Sequence, residues 1–162
     1  MLEVKFYDTV DDSLLKFAVI ISQSNGKWVF CKHKERDTYE VPGGHREVGE
    51  DILETAKREL QEETGAIRFD INPICVYSVT GKNSVNETGE ETFGLLCFAE
   101  IREFSGQLES EMEKVELMDE LPENWTYPLI QPKLIEKYLQ IEKQSYSRIQ
   151  LAAKQTIEYI KN

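Results

Sequence analysis

Between Gly44 and Ala66 the chain places seven carboxylates in 23 residues: Glu47, Glu50, Asp51, Glu54, Glu59, Glu62 and Glu63. The last three stand at i, i+3 and i+4. On a helix turning about 100° per residue they fall within one arc of about 100°. Like charges at that spacing repel by roughly a few tenths of a kcal/mol per pair on an exposed helix, and by more when partly buried. Three of them beside an apolar edge predict a bound cation. An oxygen-only donor set with room for water suits Mg²⁺, or Mn²⁺, over zinc. Carboxylates clustered on divalent ions point to metal-assisted hydrolysis, which needs positioning and charge neutralisation and no Ser or Cys nucleophile. His33 and His45 complete no triad with any serine.

The neighbouring residues predict the elements that hold this cluster. Leu53, Ala56 and Leu60 form an apolar stripe at helical spacing, so the helix packs inward with its carboxylates along one flank. Asp51 stands near the start, where a carboxylate suits the macrodipole and can cap free N–H groups. Gly65 ends the helix. Pro42-Gly43-Gly44 ahead of it reads as neither helix nor mid-strand, and allows backbone carbonyls close to a ligand.

Gly44, five residues, Glu50, seven residues, then Arg58-Glu59-Leu60-Gln61-Glu62-Glu63-Thr64-Gly65 resembles the signature of the Nudix hydrolases. Eight fixed positions agree; Ala66 departs, standing where the pattern prefers a larger aliphatic residue. The resemblance implies an α+β fold: an α/β/α sandwich with a mixed central sheet, the signature helix on one side and C-terminal helices. It implies that Glu59, Glu62 and Glu63 ligate metal with the main-chain carbonyl of Gly43 or Gly44. It implies that Glu50 and Arg58 form a structural ion pair. Many members take a further glutamate from outside the signature; Glu109, Glu111 and Glu113 cluster in a comparable place, and Glu111 is the candidate.

Substrate class depends on residues outside the signature. Positions where a proline would suggest ADP-ribose, or a tyrosine diadenosine polyphosphates, fall in Gly81 to Ser84, and a coenzyme A segment is absent. By elimination the chain is similar to MutT-like nucleoside triphosphate pyrophosphohydrolases, of the 8-oxo-dGTP diphosphatase type. Lys34 or Arg36 is a candidate for substrate phosphates, against a plain solvated loop. Asn124, Trp125 or Tyr127 could meet a purine, though core burial explains the two aromatic residues equally well. Removal of pyrophosphate from an RNA 5′ end shares this chemistry, and a non-catalytic Nudix-like module is a third reading.

A net charge of −11 disfavours an extended nucleic-acid partner, which needs a basic stripe. It does not exclude a small phosphate ester, because metal charge can reverse the local field. No apolar run has the length of a membrane span, so no membrane partner is expected. Cys31, Cys75 and Cys97, widely spaced in apolar runs, read as buried thiols in a reducing cytoplasm.

The remaining pattern predicts an edge strand at Leu2–Tyr7 and a hairpin of Leu15–Ser22 with Lys27–His33 about Asn25-Gly26. A long hairpin of Phe69–Val79 with Thr92–Ile101 follows, closed by a mobile polar loop over Gly81–Glu91. A short strand lies around Val115, and a helix over about Gln131 to Ile141. Residues 1–141 form the Nudix domain in this reading. Residues 142–162 add an amphipathic helix through Tyr146, Ile149, Ala153, Ile157 and Ile160, packed on its own domain or serving as a dimer contact. The chain is then a monomer or a homodimer.

Overall fold

The computed structural model describes residues 1–108 and 112–161. The strands are β1 (Glu3–Tyr7), β2 (Leu15–Ser24), β3 (Lys27–His33), β4 (Tyr39–Glu40), β5 (Gly43–His45), β6 (Ala66–Thr80), β7 (Thr92–Phe104) and β8 (Met112–Met118). The helices are α1 (Ile52–Thr64) and α2 (Gln131–Lys161). The sheet runs β1-β6-β7-β2-β3-β4, with β5 also paired to β2 and β8 to β3. It is mixed, because β2 and β7 run parallel while the other pairs are antiparallel.

Alternation along the central strands builds two cores. Ile20, Val29, Leu95 and Cys97 face α1, where Ile52, Ala56 and Leu60 meet them. Their sequence neighbours Ile21, Phe30 and Leu96 face the other way, onto Leu134, Ile135 and Tyr138 of α2. A sheet covered on both faces needs strands apolar at every position, hence the unbroken runs in β2 and β7. The α/β/α sandwich is present as expected.

Both hairpins form. Asn25 and Gly26 take φ of 51° and 77°, the positive values of the tight turn whose twist matches the strands. In the β6–β7 hairpin the register shifts between Pro73 and Cys75, where proline can give no N–H to the ladder. The three cysteines are free and buried.

Several expectations need correction. Gly43–His45 does form a strand, pairing Gly43 with Val19 and Gly44 with Ala18; lacking side chains, the glycines let α1 close over it. Asp51 precedes α1 but its side chain makes no capping bond. The loop over Gly81–Glu91 holds its own hydrogen bonds: Asn86 Nδ2 donates to the Glu90 carbonyl at 2.7 Å, and its Oδ1 accepts from the Gly89 N–H at 3.2 Å. Asn86 is buried. The C-terminal helices are one continuous helix of 31 residues, α2. Beyond Ile141 its residues are exposed through Lys161 instead of packing on their own domain. No Gly or Pro interrupts Lys133–Asn162, so nothing bends the helix back.

Candidate active site

Strand β5 lies between β2 and α1, and its main chain serves each in turn. The Ile20 N–H donates to the Pro42 carbonyl at 2.9 Å, and the Arg46 N–H to the Lys16 carbonyl at 2.8 Å. The intervening residues turn to α1. The Gly43 N–H donates to Glu63 Oε1 at 2.7 Å, and the His45 carbonyl accepts from Arg58 Nη2 at 3.0 Å. Gly44 approaches α1 so closely that a β-carbon there would lie 2.2 Å from Glu59 Oε1. Of the two glycines, Gly43 is the one whose N–H a signature carboxylate accepts, while Gly44 lies against Glu59.

Arg58 organises the flank of α1. Its Nε donates to Glu50 Oε2 at 2.7 Å and its Nη2 to Glu50 Oε1 at 3.1 Å, a two-pronged pairing. Its Nη1 donates to Glu59 Oε1 at 2.8 Å and lies 3.4 Å from Glu62 Oε2. Glu50 also accepts from Thr55 Oγ1 at 2.6 Å and from the Glu47 N–H at 3.1 Å. Hydrogen bonds from Arg58, Thr55 and Glu47 together hold the Glu50 carboxyl down at about 2. Glu50 thus locks the segment before α1 onto the helix.

Two of the metal candidates, Glu63 and Glu59, have the opposite character. Burial pushes the Glu63 carboxyl up to about 8, against the pull of the Gly43 N–H, with Glu59, Glu40 and Glu62 adding repulsion. Burial also raises Glu59, in spite of Arg58. Partly buried carboxylates that resist their own charge await a proton or a cation. Among the described residues no three acidic, imidazole or thiol groups stand converged on one ion position. Glu59 is turned to Arg58 and Glu63 to Gly43. The donor set fits a hard divalent cation by its chemistry, three carboxylates beside the glycine strand, while its side chains are held by protein partners.

A cavity of about 340 Å³ opens beside Gly43 and Gly44. Phe17, Tyr77, Val79 and Tyr127 form its apolar lining, Lys16 stands at its edge, and the Asn83–Asn86 turn closes one side. Phe17 and Tyr77 pack with ring centroids 5.5 Å apart.

A NUDIX-domain family model matches residues 13–137. The chain belongs to the Nudix family. The Bacillus subtilis (strain 168) protein named "Putative 8-oxo-dGTP diphosphatase YtkD" is 33% identical over 123 residues, 75% of this chain and 73% of that one. The crystal structure of a mutant of the Bacillus subtilis pyrophosphohydrolase BsRppH superposes with a TM-score of 0.69 at 27% identity, over 86% of this chain and 90% of that one. A NUDIX hydrolase from Nitrosomonas europaea shares the fold, with a TM-score of 0.63 at 20% identity over 78% of this chain and 89% of that one. The chain is a Nudix hydrolase with pyrophosphohydrolase chemistry.

Within this Nudix site the residues expected from sequence separate clearly. Glu50, Arg58, Glu59, Glu62, Glu63 and Gly43 meet at the α1–β5 junction. Tyr127 lines the cavity. Asn124 does not: its carbonyl accepts from the Tyr39 N–H at 2.8 Å, tying the segment to β4. Trp125 stands edge-on to Phe30 in the core. Lys34 is exposed and away from the cavity, and Arg36 lies 3.6 Å from Glu40, a buried carboxylate. Glu40 itself lines the cavity, so Arg36 is held beside the site, while Lys34 is not among the lining residues. Glu109 and Glu111 lie outside the described residues, while Glu113 pairs with Lys32. Sequence reasoning missed Lys16, which the pairing of β2 with β5 places across from Arg46 and on the cavity lining. No local motif signals it.

Gly65 does more than stop α1. It takes φ of 75°, its N–H donates to the Gln61 carbonyl at 2.9 Å, and an added β-carbon would lie 2.9 Å from the Gln107 carbonyl. Gly65→Ala is expected to lower stability by about 1–3 kcal/mol, from the left-handed backbone plus the clash. Urea denaturation should show this as an earlier midpoint at unchanged slope.

Proposed function

We propose that this Nudix hydrolase cleaves a purine nucleoside 5′-triphosphate, of the 8-oxo-dGTP type, to the monophosphate and pyrophosphate, with Mg²⁺ (or Mn²⁺) as cofactor. The observation that carries the reading is the aromatic-lined cavity abutting the strand whose far side carries the carboxylates. Phe17, Tyr77 and Tyr127 offer faces for a base, and Lys16 a charge for phosphate. Glu59, Glu62, Glu63 and the Gly43 carbonyl would hold the cation. When bound, the cation supplies Lewis acidity to a water molecule and neutralises charge on the diphosphate. Arg58 keeps Glu50 and Glu59 in register, and β5 keeps the glutamates a fixed step from the cavity. Glu111 remains the candidate for a further acid–base group. The YtkD name supports the substrate, and three buried, free thiols suit a reducing cytoplasm.

A second reading, release of pyrophosphate from an RNA 5′ end, uses the same centre. The likeness to BsRppH, a pyrophosphohydrolase, favours it, and the net charge of −11 opposes it. Mg²⁺-dependent pyrophosphate release from dGTP, 8-oxo-dGTP, ADP-ribose and 5′-triphosphorylated RNA separates them. A preference for 8-oxo-dGTP is expected; preference for RNA would replace the first reading with the second. Turnover on none of these substrates would reject both.

A further inference from the structure

The outer part of α2 carries a face that its own domain does not cover. Leu139, Tyr146, Ile149, Ala153, Ile157 and Ile160 fall within an arc of about 80° on the helix. Tyr146, Ile149, Ile157 and Ile160 are each more than half exposed, at 63%, 65%, 53% and 75%. A solitary helix of this composition is marginal in water, because helices draw most of their stability from burying an apolar face. The uninterrupted α2 leaves that face uncovered by its own body, so another surface must cover it.

Charge decides which surface. Residues 142–162 hold four basic side chains against two acidic ones, which leaves −13 on the first 141 residues of a chain whose net charge is −11. Lys143, Lys154 and Lys161 line one flank of the apolar stripe, within about 20° of one another, whereas Ser145, Ala152 and Thr156 line the other. Antiparallel pairing of two such helices sets lysine flank against lysine flank; parallel pairing crowds two bodies of −13 together. An anionic membrane or nucleic acid attracts the lysines but repels the body. An acidic protein surface with exposed apolar residues satisfies both features, and this chain has one. Among the described residues β8 pairs with β3 alone, at the edge of the sheet. Leu117 and Leu121, on β8 and just after it, are 44% and 38% exposed. Asp119, Glu120 and Glu123 adjoin them in sequence and are also exposed, with Asp119 4.0 Å from Lys27 Nζ.

The geometry points to a homodimer in which residues 142–161 of one copy lie along the β8 edge and the following acidic turn of a second copy, and reciprocally. Ile149 and Ile157 meet Leu117 and Leu121 of the second copy, and the lysine flank meets Asp119, Glu120 and Glu123. The contact is isologous and closed, and it covers an edge strand otherwise open to aggregation. Two strips about 30 Å long and 10 Å wide bury on the order of 1,200 Å² or more in total, the lower bound of a stable interface.

Sedimentation equilibrium of the full chain tests this, with circular dichroism to confirm folding. The wild type is expected to be a dimer that weakens as salt rises. The paired change Ile149→Asp and Ile157→Asp gives a folded monomer. Leu121→Asp raises the dissociation constant at least tenfold. Lys154→Glu and Asp119→Lys each weaken the dimer, and together they recover part of the loss. A wild type that stays monomeric at every concentration overturns the proposal, including one that binds phosphatidylserine vesicles instead. So does a dimer indifferent to Leu121 and Asp119, which would mean that the helix docks elsewhere. None of these outcomes depends on the substrate.

Discussion

Glu62→Gln is expected to lower nucleoside triphosphate turnover about a thousandfold, roughly 4 kcal/mol of barrier, while leaving the protein folded. The three signature glutamates differ in what else they hold. Glu63 accepts from the Gly43 N–H, and Glu59 is packed against Gly44 and bonded to Arg58, so replacing either disturbs the β5–α1 junction. The Glu62 side chain is 43% exposed and its partner is Arg58, 3.4 Å away. A partly exposed pair at that distance contributes little to stability. An amide in its place keeps the shape and removes the charge that a divalent ion requires. Steady-state pyrophosphate release, alongside thermal melting, measures both effects. Unchanged turnover would reject Glu62 as a ligand.

The metal-free protein is expected to lose stability as pH rises from about 4.5 to about 8, and Mg²⁺ to restore it. Burial raises the Glu63 carboxyl from an ordinary 4.5 to about 8, so between those values the folded chain holds a proton that the unfolded chain has released. Stability from this group is complete below pH 4.5 and is lost as pH climbs through 8. The loss, discounted for partial exposure, is about 2–4 kcal/mol, or about 5–10 °C in melting temperature for a chain of this size. Glu50 acts in the opposite sense and much lower. Its carboxyl is held at about 2, so its contribution persists across this range and disappears only in strong acid. Melting curves at several pH values, with EDTA or with Mg²⁺, measure the effect. Glu63→Gln should flatten the metal-free profile and abolish the Mg²⁺ response; a steep profile in that variant would assign the dependence to another group.

What the sequence made legible was whatever is encoded locally. Asn25-Gly26 specifies its turn from two residues, and α1 is specified by a stripe, a stop and a carboxylate spacing that hold on any helix. The unbroken apolar runs of β2 and β7 announce strands covered on both faces. The rest arises from pairing across the chain. Lys16 reaches the cavity because β5 pairs with β2 in one particular register. The Gly43–His45 strand exists because β2 offers an edge and α1 covers the glycines. Lys34, close to the signature in sequence, is placed away from the cavity by the turn that joins β3 to β4, while Arg36 is held to Glu40 of the cavity wall. The amphipathic stripe of residues 142–161 was readable, but whether its own body lies underneath depends on the direction of α2, which no periodicity contains.

The guanidinium of Arg58 reaches Glu50, Glu59 and Glu62 together, and the carbonyl of His45. It is a built-in stand-in for the cation that these carboxylates are proposed to hold. A chain with such an understudy is expected to stay folded without a divalent cation. Chelation should silence it without unfolding it, and refilling should need only side chains to change allegiance.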